Sequence, residues 1–297
     1  MPTTLTEHAG AGFDGTPLRY WTRRAGPRWV LVCSGYGGTL PSWQPLLDEL
    51  DPVWSLLLWD YRGQFGSGLP EDDLPIKVED HSRDLEALMA AESIESGVLM
   101  GWSVGVQVAL EHYRRRHRAV EALVLINGAN ERVLHSPMGD GLGATAMRGI
   151  IRAMGMAGGP LQAALRPILH RRLTARAAKA LRFVKAGADL DHVQAAITSW
   201  RDMDVRRYMA MTLTADDHVT SDMVDTVRVP TLITAGDQDF LTPPSQAEGL
   251  HQRIADSEYR LFEGATHYAI LERPADYARA IDDFLARRLP EAAGTSP

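Results

Sequence analysis

Residues 101–105 read Gly-Trp-Ser-Val-Gly and stand between an apolar run at 97–100 and a run of helical period that starts at Val106. A serine between two small residues at a strand-to-helix turn is held in a tight bend, so its hydroxyl projects from the sheet edge. The helix that follows begins with unpaired N–H groups and a positive dipole end, which favour an oxyanion beside that hydroxyl. We interpret Ser103 as a nucleophile; the alternative is an ordinary turn serine.

A serine hydroxyl is a poor nucleophile at neutral pH, so a base must take its proton and a carboxylate must orient that base. The chain has ten histidines. His267 alone follows a late strand-like run in a glycine-containing loop, at 263–268, directly before the C-terminal helical run. The others mostly lie on helical or solvated stretches. We therefore predict His267 as the base, against the alternative of a surface-loop histidine.

The orienting carboxylate is expected between serine and histidine in chain order, at the end of the next core strand. The run at 229–235 is that strand, and its exit offers two carboxylates, Asp237 and Asp239. We predict Asp239 as the acid, because a tight turn at Gly236 leaves it further along the loop, and Asp237 as the residue that closes the turn. No further ligands cluster around the pair, so a metal site is not indicated.

Backbone donors for a developing negative oxygen are predicted in two places. Ser34-Gly-Tyr-Gly-Gly38 follows the strand-like run at 29–33, and its glycines let the backbone approach a ligand closely. The N–H groups of Tyr36 and Val104 are the natural donors. The alternative for residues 34–38 is a flexible glycine turn.

Composition limits the remaining possibilities. A chain of 297 residues with 45% hydrophobic and 23% charged residues is long enough for one large α/β domain with an insertion. A net charge of −7 offers no general attraction for nucleic acid or an anionic membrane. The single cysteine, Cys33, lies in an apolar run and is expected to be buried. Neither a signal peptide nor a membrane-spanning run is apparent, so we predict a cytoplasmic protein.

Strand-like and helix-like runs alternate along most of the chain. The predicted strands are 29–33, 53–59, 97–100, 122–126, 229–235 and 258–262, preceded by a hairpin at 13–22 on the antiparallel edge. The predicted helices are 78–91, 104–116, 245–254 and 275–289. This alternation predicts an α/β fold with a doubly wound, mostly parallel sheet.

The alternation fails between about 131 and 226, where only helical stretches are found. We predict a core at 1–130 and 227–297 and an inserted helical cap at 131–226 over the carboxyl ends of the strands. Eight of the eleven methionines fall in the cap, and part of this set is expected to line an apolar pocket, unless they only fill space between helices. They are Met138, Met147, Met154, Met156, Met203, Met209, Met211 and Met223.

Taken together, these residues resemble the α/β-hydrolase superfamily, in its serine-nucleophile, esterase-like branch with a helical cap. Ser103, Asp239 and His267 appear in the family's order. The stretch Asp60-Tyr-Arg-Gly-Gln-Phe-Gly-Ser67 is similar to the family's Asp-x-Arg-Gly loop, with its later glycine shifted by one residue. Ser34 replaces the histidine often found before the glycine of the oxyanion loop.

The resemblance implies acyl transfer to water through an acyl-enzyme, with no metal or organic cofactor. We expect a hydrolase that cleaves a carboxylic ester of a small to medium apolar substrate, that is, a small-molecule acyl compound rather than a nucleic acid. A lactonase, thioesterase, carbon–carbon bond hydrolase or perhydrolase would use the same residues. A non-catalytic receptor for a small molecule is the alternative from another class. The sequence leaves the oligomeric state open.

Overall fold

An eight-stranded sheet organises the molecule, with strand order β1-β2-β4-β3-β5-β6-β7-β8. Strand β1 pairs antiparallel with β2, and β2 with β4, while all pairs from β4 through β3 to β8 are parallel. The strands are β1 (Thr6–Ala11), β2 (Pro17–Arg23), β3 (Trp29–Cys33), β4 (Ser55–Trp59), β5 (Gly97–Trp102), β6 (Val120–Ile126), β7 (Thr231–Gly236) and β8 (Ser257–Phe262). This computed structural model describes residues 4–72, 75–134, 142–169, 172–180, 184–185 and 188–289.

The central strands are apolar at consecutive positions because helices cover both faces of the sheet. In β3, Leu31 and Cys33 point into one hydrophobic core, while Val30 and Val32 point into a second core on the opposite face. All five residues of β3 are buried, and so are all five of β4. The predicted doubly wound, mostly parallel sheet is therefore what the chain forms.

Helices pack on both faces of this sheet. Helices α2 (Val78–Ala91), α3 (Gly105–Arg116) and α9 (Pro244–Arg253) contribute to the first core. Helices α1 (Leu40–Glu49), α10 (Ala269–Glu272) and α11 (Pro274–Arg288) contribute to the second. Since parallel strands joined by such helices all end at one edge, the loops after β3, β5, β6, β7 and β8 meet there.

Between β6 and β7 the chain forms a helical insertion, whose described residues include five α-helices. They are α4 (Leu142–Met156), α5 (Gly158–Leu169), α6 (Arg172–Ala180), α7 (Leu190–Ser199) and α8 (Val205–Asp217). Val184, Ala188 and Val193 form a small core of their own with Ala175. Within the described residues of 131–226, the one β-type pairing is an isolated bridge between Glu131 and Val219. Helical insertion is thus present, and the predicted division at 131 and 226 stays a prediction.

Two details differ from expectation. The hairpin lies at 6–23, not 13–22, because Asp14 and Gly15 form the turn itself and β1 precedes them. Helix α1 was not predicted; Pro41 and Pro45 interrupt its sequence signal, although both fit in its first two turns. No helix in the described part of the chain combines the length and apolar character needed to cross a bilayer.

Candidate active site

The backbone at Ser103 is bent into the left-handed region, with φ of +58°. This conformation is strained for a residue with a side chain and is typical of functional turns. The turn is possible because glycines flank it: a Cβ on Gly105 would lie 2.0 Å from the carbonyl oxygen of Cys33. One on Gly101 would lie 2.4 Å from the carbonyl oxygen of Gly105. Helix α3 therefore starts directly at the serine, as the pentapeptide predicts.

His267 reaches this serine from the loop after β8. Its Nε2 lies 2.9 Å from Ser103 Oγ, a distance suited to proton transfer. Trp102, the last residue of β5, anchors the loop that carries His267, since its indole N–H donates to the His267 carbonyl oxygen at 2.9 Å. The two rings also pack together, with centroids 5.5 Å apart. Trp102, directly before Ser103, thus orients His267, the candidate base.

Asp239 completes the arrangement from the loop after β7. The Nδ1 atom of His267 lies 2.9 Å from Asp239 Oδ2, and the N–H groups of Leu241 and Thr242 donate to Oδ1 at 2.9 Å each. Burial raises the pKa of this carboxyl, but the nearby His267 and the hydrogen bonds from Thr242 outweigh it, and the net pKa lies below the ordinary value. The carboxylate is therefore ionised at neutral pH and fixes the histidine with Nδ1 protonated and Nε2 free to accept.

Asp237 plays a different part. Its side chain is exposed and accepts a hydrogen bond from the Gly264 N–H, which ties the loop after β7 to the loop after β8. It makes no contact with His267. Of the two carboxylates of this loop, Asp239 is therefore the one hydrogen-bonded to His267, and its role as the acid stays a prediction.

Asn127, which follows β6, was not among the site residues predicted from the sequence. Its backbone has φ of +42°, which asparagine tolerates better than most residues, and its amide nitrogen donates to Asp239 Oδ2 at 3.1 Å and to the Thr266 carbonyl at 3.0 Å. The hydroxyl of Tyr277 in turn donates to Asn127 Oδ1 at 3.0 Å. Asn127 thus holds the acid loop and the base loop together. The available signal was its position directly after a central strand, at the edge where the other loops meet.

The loop after β3 packs against Ser103. A Cβ on Gly35 would lie 3.0 Å from Ser103 Cβ, and the Gly38 N–H donates to the Gly35 carbonyl at 2.9 Å to close a tight turn around Tyr36. Val104 directly follows Ser103 and is the N-terminal cap of α3. Both predicted donors therefore lie near Ser103, and their role in binding an oxyanion stays a prediction.

Ser103 and His267 open into a cavity of about 410 Å³, within the range of small-molecule sites. The helical insertion supplies much of its apolar wall, through Leu169, Ala178, Val184, Val193, Ala196, Ile197, Trp200 and Tyr208. Among the described residues that line it, none is an aspartate, glutamate, lysine or arginine. Burial raises the pKa of Tyr36, Tyr208 and Tyr268, so these phenols stay neutral. The described part of the lining therefore offers no carboxylate, ammonium or guanidinium group to pair with an ionic substrate.

The expectation that methionines line this cavity was wrong for the described ones. Met203, Met211 and Met223 are buried in packing between elements, whereas Met156 is exposed. None of the described methionines is among the lining residues, and Met138 lies outside the described residues. Flexible thioether side chains fill irregular gaps between helices here, and branched and aromatic residues form the rigid wall.

Comparison with known proteins defines the class. The model of the alpha/beta hydrolase family matches residues 30–280, so the chain belongs to this family. The serine hydrolase BPHL of Mus musculus is 24% identical over 285 residues, 95% of this chain and 87% of that protein.

Other relatives match over less of the chain or only in fold. A proline iminopeptidase of Lactobacillus helveticus is 36% identical over 69 residues, so the match spans 23% of this chain and 23% of that protein's length. Among solved structures, the esterase EaEST of Exiguobacterium antarcticum superposes with a TM-score of 0.76 at 17% identity, covering 94% of this chain and 99% of that one. That likeness shows the fold alone.

Proposed function

We propose that this protein is a serine hydrolase that cleaves carboxylic esters of small to medium, uncharged apolar substrates through an acyl-enzyme. The observation that carries the proposal is a continuous relay: Ser103 Oγ to His267 Nε2 at 2.9 Å, and His267 Nδ1 to Asp239 Oδ2 at 2.9 Å. It opens into a cavity with an apolar wall. The similarity to a serine hydrolase and the shared fold with an esterase support the same reaction class.

Each residue has one role in this reaction. His267 Nε2 takes the proton of Ser103 as Oγ attacks the ester carbonyl, and Asp239 stabilises the imidazolium that forms. The carbonyl oxygen becomes an oxyanion that accepts hydrogen bonds from the N–H groups of Tyr36 and Val104. His267 then gives its proton to the leaving alkoxide, and the alcohol departs. In the second half, His267 takes a proton from the water molecule that attacks the acyl-enzyme, and returns that proton to Ser103 Oγ as the ester bond to the serine breaks and the carboxylic acid leaves.

The nature of the cavity wall supports a neutral substrate. Moving an ionised group out of water into a site without a counter-charge costs on the order of several kcal/mol. A substrate with a free amine or carboxylate next to the scissile bond would face that cost here. We also propose that the segment 131–226 acts as a cap, because its helices supply the apolar wall over the carboxyl ends of the strands.

A hydrolysis panel tests the reaction class. We would assay the wild type and Ser103→Ala in parallel on neutral esters of graded acyl length, matched esters that carry a carboxylate or an amine, lactones, thioesters and vinylogous diketones. We expect turnover of the neutral esters, weak turnover of their charged counterparts and loss of activity in Ser103→Ala. Preference for lactones, thioesters or diketones would replace the ester assignment. Saturable binding with no product over hours, unchanged in Ser103→Ala, would instead identify a receptor.

A further inference from the structure

The turn that carries Tyr36 is held from two sides. Gly37 has φ of +78°, a conformation that favours glycine at the third position of a tight turn. Its N–H donates to Oε1 of Gln64 at 2.9 Å, and Gln64 belongs to the buried loop after β4. Its carbonyl accepts the indole N–H of Trp200 at 2.6 Å, and Trp200 belongs to the helical insertion. The peptide groups on both sides of Gly37 are therefore oriented, one by the core and one by the insertion.

Trp200 is placed for this contact by the local structure of the insertion. It begins a single 3₁₀ turn, Trp200–Asp202, between α7 and α8. A Cβ on Gly37 would lie 3.1 Å from the Trp200 ring and 3.3 Å from the ring of Tyr208, so a side chain here would push these rings of the insertion back by a few tenths of an ångström. The Trp200 ring also lines the cavity. One side chain thus touches both the substrate space and the turn beside the nucleophile.

This contact has a chemical consequence for the proposed oxyanion hole. The Tyr36 N–H lies in the same four-residue turn, whose first residue, Gly35, packs on Ser103 and whose last two residues are glycines. A turn with three glycines has little intrinsic rigidity, so the orientation of the Tyr36 N–H depends on the hydrogen bonds that hold the turn. Preorganised donors stabilise an oxyanion because they need no reorientation during the reaction.

We infer that Trp200 is a positioning residue for the oxyanion hole: its indole N–H holds the Gly37 carbonyl and thereby fixes the Tyr36 amide beside Ser103. The inference rests on the proposed function. If so, the efficiency of the chemical step depends on contact between the helical insertion and the core, through the hydrogen bond from Trp200 to Gly37. Gln64, from the loop after β4, holds the N–H side of the same residue, and its own amide nitrogen donates to Met211 Sδ of α8 at 3.8 Å.

The test removes the indole N–H and keeps the ring. Trp200→Phe, and replacement of Trp200 by 3-benzothienylalanine, in which sulfur takes the place of the N–H, would be compared with the wild type. A matched control is Trp54→Phe, which removes a buried indole N–H that donates to Asp282 at 3.1 Å, remote from the site. Three quantities are measured: kcat and KM on a neutral ester, the rate at which a fluorophosphonate modifies Ser103, and the affinity for an alkyl boronic acid, which forms a tetrahedral adduct.

Removing an oxyanion donor outright costs about 10²–10³ in kcat, and displacing one should cost about 10- to 100-fold. We expect kcat, the phosphonylation rate and boronate affinity to fall together by that factor in both Trp200 variants. KM should stay within about threefold, and Trp54→Phe should match the wild type. The benzothienyl variant has the shape of tryptophan, so it reports the hydrogen bond even if Trp200→Phe folds poorly.

Two results would overturn the inference. Trp200 variants that keep all three quantities within about twofold of wild type, or that raise KM alone, would make Trp200 a wall residue without a positioning role. If the wild type neither reacts with the fluorophosphonate nor hydrolyses any ester, the proposed function fails, and the assignment of Trp200 fails with it. A reactive wild type with unchanged variants overturns the positioning role only.

Discussion

Replacing Asp239 with asparagine separates its charge from its shape. In the structure, Oδ1 accepts two backbone N–H groups, from Leu241 and Thr242, while Oδ2 faces His267 Nδ1 at 2.9 Å and the Asn127 amide at 3.1 Å. The amide oxygen of an asparagine would keep the two backbone bonds on the Oδ1 side. Its NH₂ group would then face three groups that donate to Oδ2 in the wild type: His267 Nδ1, the Asn127 amide and the Thr242 hydroxyl at 2.8 Å.

The magnitude follows from the histidine tautomer. An NH₂ group opposite Nδ1 favours the form of His267 in which Nδ1 is bare and Nε2 carries the proton. Nε2 then donates to Ser103 Oγ and can no longer take its proton. A wrong tautomer in a serine triad lowers kcat by about 10⁴, or about 5 kcal/mol of transition-state stabilisation. KM should change little, since Asp239 is not among the residues that line the cavity.

The assay is steady-state hydrolysis of a neutral chromogenic ester at pH 7, with stability followed by thermal unfolding. Asp237→Asn is the matched control, because this exposed carboxylate lies two residues away in the same loop and makes no contact with His267. We expect it to retain wild-type kcat. A loss below tenfold in a folded Asp239→Asn protein, or an equal loss in Asp237→Asn, would refute the reasoning.

Three further predictions follow from the surroundings of the site. Asn127→Ala should lower kcat at least tenfold. It should also lower the free energy of unfolding, measured by urea titration, by about 1–3 kcal/mol, because Thr266 and Tyr277 lose a buried hydrogen-bond partner. An unchanged kcat would contradict the positioning role of Asn127. Gly105→Ala should lower the free energy of unfolding by at least about 1–3 kcal/mol, since the new Cβ would overlap the Cys33 carbonyl. It should also abolish labelling of Ser103 by a fluorophosphonate, and a fully active variant would contradict this prediction. Burial lowers the pKa of His81 from 6.5 to about 3, so the unfolded chain binds a proton that the native one does not, and native stability falls as pH drops below about 6.5. From pH 7 to pH 5 the wild type should lose about 2 kcal/mol more than His81→Phe in urea unfolding; parallel losses would show that His81 is protonated in the native state.

The hydrogen-bonded arrangement of Ser103, His267 and Asp239 was predictable because its sequence signals are local and ordered along the chain. Ser103 stands at a strand-to-helix turn, and Asp239 and His267 each follow a core strand. Since parallel strands end at one edge of the sheet, residues directly after different strands must meet there. The same reasoning extends to Asn127, which follows β6, but a lone asparagine after a strand carries no chemical pattern of its own.

The cavity wall and the role of Trp200 were not predictable, because both depend on how short helices pack on the core. No periodicity in the sequence relates Trp200 to Gly37, which lie 163 positions apart and meet through one hydrogen bond. The emphasis on methionine failed for the same reason: hydrophobicity and flexibility favour both a pocket and the packing between helices, and only tertiary structure separates the two.

The most direct test of the central claim is covalent labelling of the native protein with a fluorophosphonate, followed by intact-mass and peptide mass spectrometry. The account predicts one adduct per chain on Ser103, with no labelling of Ser103→Ala and strongly slowed labelling of a His267→Ala variant. An unlabelled but folded wild type, or ester hydrolysis that persists in Ser103→Ala, would contradict it.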